Sequence, residues 1–286
     1  MARPMDRNEL SAPGDWYVDT NCINCDAARH VAPGLVGTDD DGKSVFLRQP
    51  ETPEDLDAAW RALLVCPTRS VGNETLKRPY PKAFPQDLGD GVYRLGHNAR
   101  SSFGAHSYLV ARDAGNVMVD SPRWTREVVG PVEEMGGIDH ILLSHRDDVA
   151  DYARYADRFG AQVWVHEADS SAAPDANHMI DGTDEVRVRD DIVAFPVPGH
   201  TEGSVLFLVD DHLLFSGDSL AWSPRSEHLT AFRNACWFSW DAQRDSLRRF
   251  AESGHRFDRL FCGHGWSHDL DADAFHTSLL ELTDRM

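Results

Sequence analysis

The sequence predicts an α/β fold preceded by a smaller α+β segment, and three observations carry that prediction. From about residue 91 onward, strand-like runs alternate with amphipathic stretches. Several of these strands end in a His or Asp beside Gly or Ser, and strand-end loops are where such scaffolds place chemistry. Before residue 75 the chain has short strands, one helix and a loop holding two of its five cysteines. At 286 residues the chain is long for one compact domain, and 41% apolar content is enough for a real core.

The first segment, 1–75, opens with the strand DWYVD, followed by the loop NCINCDAARHVAP and a second strand, SVFLRQ. Its helix, PEDLDAAWRALLV, has a start signal in Thr52-Pro53-Glu54. Leu56, Ala59, Trp60, Leu63 and Leu64 recur at helical spacing. The helix runs straight into Cys66-Pro67. Three prolines and little periodicity then mark a linker over 76–90. The segment 91–286 carries the strand signals VYRLG, HSYLVAR, NVMVD, HILLS, QVWVH, IVAFPV, SVLFLV and HLLFSG. DVADYARYADRFG and WDAQRDSLRRFAESG read as helices between some of them. No internal repeat or low-complexity segment interrupts the pattern.

The net charge of −19 argues against a nucleic-acid partner, because displacing counterions from a phosphate backbone needs Lys and Arg. No run of about 18 apolar residues exists, which argues against a membrane span. The N-terminus, MARPMDRNELSAPGDW, lacks the apolar stretch of a secretory signal, so the expected location is the cytoplasm. Cys22, Cys25, Cys66, Cys236 and Cys262 are odd in number, poor material for a disulfide framework.

Four strand ends carry metal-ligand chemistry: LLSHRDD, PVPGHTEGS, LLFSGDSL and LFCGHGW. In this order and at these spacings they resemble the metallo-β-lactamase superfamily over 91–286. The resemblance implies an αββα sandwich. Asp120 in NVMVDSP matches the first-motif aspartate, which supports the site from behind its ligands. His145 matches the first histidine of H-x-H-x-D-H, His200 the third-motif histidine, Asp218 the bridging aspartate and His264 the late histidine. Imidazole and carboxylate suit zinc or iron, and a bridging Asp can join two cations.

The first histidine motif departs from that pattern. Asp147 stands at the second-histidine position, Val149 at the aspartate and Ala150 at the last histidine. The flavodiiron branch of the superfamily also uses an acid at the second-histidine position. One site would keep His145, Asp147 and His200. The other would keep only Asp218 and His264, unless Asp148 or Asp151 turns inward. If a helix starts just after His145, Asp147 or Asp148 caps it instead. The expectation is one tight cation and a second that is weak or absent.

The wording HRDDVAD, MVDSPRW and CWFSWDAQ resembles a superfamily subgroup that carries a ferredoxin-like domain, here 1–75, ahead of the lactamase-like domain. NCINCDAARHVAP is similar to the ferredoxin pattern C-x-x-C-x-x-C, and LLVCPTRSV to its distant C-P. Thiolates so spaced wrap a cluster. Ala28 replaces the third cysteine, leaving Cys22, Cys25 and Cys66. The alternatives are a 3Fe–4S cluster, a 4Fe–4S cluster with water or His30 on the fourth iron, a zinc with His30, or an empty fold.

His106 and His166, at loop and strand ends, read as core-edge or surface histidines, with a substrate-facing role for either as the sharper alternative. Trp237, Trp240 and Trp266 flank the later motifs, and Arg123, Arg225 and Arg233 lie in loops able to rim a site. Cys236 and Cys262 read as small buried residues. The function implied is a metal-dependent hydrolase in which metal-bound hydroxide attacks an ester, thioester, lactone or amide of a small molecule. Asp148 or Asp218 would orient the nucleophile or take its proton. The alternatives are an iron-dependent oxidoreductase with a redox partner, and a non-catalytic binding scaffold with a degenerate site.

Overall fold

The computed structural model describes residues 2–75 and 81–286, which pack as two units. One is Met1–Ala111 with Pro122–Gly137, and the other is Arg112–Ser121 with Ile138–Met286. Of the linker expected over 76–90, residues 76–80 lie outside the described residues. Residues 81–90 fall within the first unit.

In the first unit, β1 (Trp16–Val18) precedes α1 (Ala27–Val31), and β2 (Val36–Thr38) pairs antiparallel with β3 (Ser44–Phe46). The helix α2 (Pro53–Val65) has the bounds its start signal implies: the Thr52 hydroxyl accepts the Asp55 N–H at 3.2 Å, and Pro53 sits in the first turn. It stops at Cys66, which is extended because Pro67 follows. β4 (Val71–Asn73) then returns beside β1. Trp16 meets Trp60 of α2 edge-to-face at 5.5 Å, and Phe46, Leu35 and Ala59 complete a buried core. β5 (Gln86–Asp87), β6 (Val92–Arg94) and β7 (Tyr108–Val110) form an antiparallel meander, and α3 spans Arg126–Glu134.

In the second unit, β8 (Val117–Val119), β9 (His140–Leu142), β10 (Gln162–His166) and β11 (His178–Ile180) are parallel neighbours. Their apolar residues are mostly buried, as expected of parallel strands covered on both faces. The helix α4 (Tyr152–Phe159) lies between β9 and β10 in sequence. A second sheet runs β12 (Val186–Arg189), β13 (Ile192–Pro196), β14 (Val205–Val209) and β15 (Leu213–Phe215), all antiparallel. β16 (Ala221–Ser223) and β17 (His228–Thr230) form a hairpin. β18 (Arg259–Phe261) joins β15 in parallel, with β19 (His268–Asp269) at the edge.

The helices α5 (Trp240–Glu252) and α6 (Ala272–Arg285) pack together over this sheet's core, where Leu247, Phe250, Phe257, Phe275 and Leu279 are buried. The Asp271 side chain caps α6 by accepting from the N–H groups of Asp273 and Ala274. Among the described residues no helix is long and apolar enough to cross a membrane. Phe275, fully buried against Phe257 and Trp222, is central to this layer. Phe275→Ala is expected to lower the unfolding free energy by about 3–5 kcal/mol in a denaturant titration.

Candidate metal centre

Each motif follows a strand of the second unit: Asp120 follows β8, His145 follows β9, His200 lies between β13 and β14, Asp218 follows β15 and His264 follows β18. Asp120 adopts a left-handed backbone (φ 53°), a conformation Asp tolerates better than most residues. There its carboxylate accepts the Ser144 N–H and O–H, both at 2.8 Å. With its proton given to Asp120, the Ser144 hydroxyl oxygen accepts from His145 Nδ1 at 2.9 Å. The bare nitrogen of His145 is therefore Nε2, the one turned to the site. His200 is fixed in the same way, since its Nδ1 faces the Ala235 carbonyl oxygen, which can only accept.

The open nitrogens converge on carboxylates. His200 Nε2 is 3.5 Å from Asp147 Oδ2 and 3.7 Å from Asp218 Oδ2. His145 Nε2 is 3.8 Å from Asp218 Oδ2 and 4.0 Å from Asp148 Oδ1. Two sets of ligand atoms lie within 4.8 Å of one another: His145, Asp147 and His200, and His145, Asp148 and Asp218. His264 belongs to neither; its Nδ1 holds both oxygens of Asp218 at 2.9 Å, and its backbone N–H donates to Oδ1. Neither Asp147 nor Asp148 caps a helix, which corrects the helix-capping expectation. The chain after His145 forms an irregular turn, and α4 starts only at Tyr152 with Asp151 as its N-cap residue. Asp148 points inward and is buried, whereas Asp147 is exposed.

The electrostatics are those of a site made for cations. Burial, then Asp218, Asp120 and Asp147, push the Asp148 carboxyl well above the usual range. Burial pushes Asp120 up to about 7, against the two Ser144 donors. Burial would raise Asp218 too, but His264, His145 and His200 together hold it below the usual range. Burial lowers His145 to about 4, which leaves the imidazole neutral at pH 7 and able to ligate. The His200 imidazole, 3.5 Å from its Oδ2, with His145 beyond, holds the Asp147 carboxyl below the usual range. Both Asp148 oxygens and the Nε2 atoms of His145 and His200 are buried without a hydrogen-bond partner. Such atoms call for an ion. At Gly263 a Cβ would come within 2.7 Å of Asp218 Oδ1 and 2.8 Å of Asp148 Oδ2, so only glycine leaves this space open. Nitrogen and carboxylate donors in this number fit zinc or iron.

Two contributors escape sequence reasoning. Ser144 links Asp120 to His145, and its position directly before the histidine is the only clue. Asp169, fully buried, accepts from the Arg146 N–H and the Thr201 hydroxyl and so ties the HRDD turn to the GHT turn. Nothing near it in sequence signals this. Trp237 is 61% exposed, with its ring 6.2 Å from the His200 ring and its N–H donating to the His200 carbonyl at 2.8 Å. Trp266 packs against the core and Trp240 donates to the Met286 carbonyl. His166 accepts the Ala168 N–H, a turn role.

In the first unit, two of the three expected cysteine sulfurs accept a backbone N–H: Cys22 that of Ser44 at 3.4 Å and Cys66 that of Ser70 at 3.2 Å. These donors suit sulfur carrying negative charge, as in an iron–sulfur cluster. His106 Nε2 lies 3.3 Å from His30 Nδ1, pairing the two histidines within this unit.

Residues 18–73 match the family model described as the 4Fe-4S single cluster domain of Ferredoxin I. Over 117 residues, 38% of this chain, the sequence is 31% identical to a hydroxyacylglutathione hydrolase of Shewanella loihica. A second hydroxyacylglutathione hydrolase, from Acidiphilium cryptum, is 30% identical over 119 residues, or 40% of the chain. The chain spans less than half the length of these relatives, 45% and 49% respectively. A metallo-β-lactamase structure from Erythrobacter litoralis superposes with a TM-score of 0.53 at 15% identity, covering 70% of this chain and 96% of that one. The fold is the sheet sandwich of that enzyme class.

Asp120→Asn replaces one accepting oxygen with an NH2 that can only donate, so one of the two Ser144 donors loses its acceptor. It is expected to weaken metal affinity by about 10–100-fold, measured by competition with a chromophoric chelator. Metal-free protein is expected to release protons when zinc is added, because a cation competes with protons for Asp148, whose carboxyl burial and the neighbouring carboxylates raise. Titration in a weakly buffered solution measures this, and an unchanged pH would remove Asp148 from the binding event.

Proposed function

For this chain of the metallo-β-lactamase fold, with its ferredoxin-type segment in front, we propose a metal-dependent hydrolase acting on a thioester or a related ester, lactone or amide. The observation that most supports the reading is the pair of overlapping donor sets around His145, with buried lone pairs that no protein group satisfies. In this reading His145, Asp147 and His200, joined by Asp218, hold one cation tightly. Asp148 and Asp218, with His264 beside them, offer a second and weaker position. Asp148 thus stands in for the donors missing at Val149 and Ala150. Cations held there supply Lewis acidity toward a carbonyl and lower the pKa of a water.

The remaining work falls to the protein's own groups. Asp120 and Ser144 hold His145 with Nε2 bare, and the Ala235 carbonyl does the same for His200. A carboxylate oxygen of Asp148 or Asp218 orients the attacking water and takes its proton. Trp237 and Phe238, both exposed beside His200, offer an apolar face to the acyl portion of a substrate. The preference for a thioester draws on the names of the hydroxyacylglutathione hydrolase relatives.

A second reading, an iron-dependent oxidoreductase, draws on the first unit. Cys22, Cys25 and Cys66, with N–H donors to the first and last, suit an iron–sulfur cluster there. Thioester hydrolysis by the metal-loaded full chain, abolished by a chelator and lowered at least about 100-fold by His200→Ala, is expected for a hydrolase. Iron at the metal centre with no turnover of any of the four substrate types would select the oxidoreductase instead. Element-resolved metal content is expected to fall in Asp147→Ala and to lose only the second cation in Asp148→Ala. Unchanged content in Asp147→Ala would take Asp147 out of the ligand set.

A further inference from the structure

The loop around Cys25 has an unusual backbone. Asn24 (φ 59°) and Asp26 (φ 65°), on either side of that cysteine, both take the left-handed conformation. Non-glycine residues adopt it at a cost, so two so close together mark a constrained site. Around this loop two of the three sulfurs draw backbone N–H donors from distant places in the chain, Cys22 from Ser44 and Cys66 from Ser70.

A cation also stands by. Arg29 is anchored on the Gly42 carbonyl and the Asn24 side chain and is ion-paired with Asp26. The loop that ends at His106 covers Cys25, and it can do so only because residue 104 is glycine. At Gly104 (φ 94°) a Cβ would lie 2.8 Å from the Cys25 sulfur and 2.9 Å from Pro67 Cγ.

What the segment lacks is a fourth thiolate. The spacing C-x-x-C-x-x-C puts that ligand at residue 28, where a buried alanine methyl offers no donor. His30 has one ring nitrogen engaged with His106, whose other ring nitrogen faces the Asn98 side-chain amide at 3.3 Å. We propose that Cys22, Cys25 and Cys66 hold a 3Fe–4S cluster through three thiolates alone, with no protein ligand for a fourth iron because Ala28 occupies that position. This rests on the reading that the first unit carries a cluster, and specifies its composition.

The test uses the full chain purified without oxygen, in a His200→Ala background to weaken iron binding at the other metal centre. The expected result is an iron-to-sulfide ratio of about 3:4, with a paramagnetic resonance signal in the oxidised state that is lost on one-electron reduction. Ala28→Cys is expected to shift the ratio to about 4:4 and to reverse the behaviour, silent when oxidised and visible when reduced. His30→Ala is expected to keep the parent's signal. A parent that already behaves as the four-iron form overturns the proposal, and loss of that form in His30→Ala would identify the imidazole as the fourth ligand. An Ala28→Cys protein that keeps the three-iron signature overturns the role given to residue 28. Absence of both iron and acid-labile sulfide after anaerobic reconstitution overturns the cluster reading itself.

Discussion

Three buried carboxylates, Asp120, Asp148 and Asp218, crowd into one region of the second unit, and their mutual repulsion is the constraint on which its architecture turns. Burying a charge costs several kcal/mol even after relaxation, and neighbouring like charges add to that. The chain relieves each carboxylate by different means. Asp120 is given two donors from Ser144, Asp218 is surrounded by three histidines, and Asp148 is given no hydrogen bond at all. A protein tolerates the third condition where a proton or a cation supplies the missing partner.

The scaffold around this cluster is correspondingly rigid. Asp169 joins the turns that carry Arg146 and Thr201, and Gly263 lets the last motif close against two carboxylates without a side chain in the way. The strands behind these turns are short and buried, so their ends are fixed by packing on both faces. Geometry of this kind suits ligands that must be held before a cation arrives, since each imidazole is already committed to one tautomer by the group behind it.

Much of this was legible in the sequence, and what was not has physical causes. Asp120, His145, His200 and Asp218 stand at strand ends beside small residues, a local pattern that reading along the chain detects. The helix over 53–65 declares itself through Thr52, Pro53 and the proline after Cys66. Which aspartate of HRDDVAD turns inward was not legible. In an irregular turn a step of one residue redirects the side chain, and no periodicity governs it. Asp169 was equally hidden, because its partners Arg146 and Thr201 lie 23 and 32 residues away. In the first unit the cysteine spacing was readable, while the N–H donors of Ser44 and Ser70 come from backbone that only the fold brings to the sulfurs.

The exposed aromatic strip at Trp237 and Phe238 is tied to the interior more firmly than its exposure suggests. The Ala235 carbonyl accepts from the His200 ring, the Trp237 N–H donates to the His200 carbonyl, and the Cys236 thiol reaches the Gly199 carbonyl. The strip and the imidazole therefore move as one body, like a handle and its bolt. A molecule that settles on the two rings bears mechanically on a nitrogen of the metal centre. Side chains at 237 and 238 can be exchanged to suit a new guest, provided the backbone beneath them keeps its grip on His200.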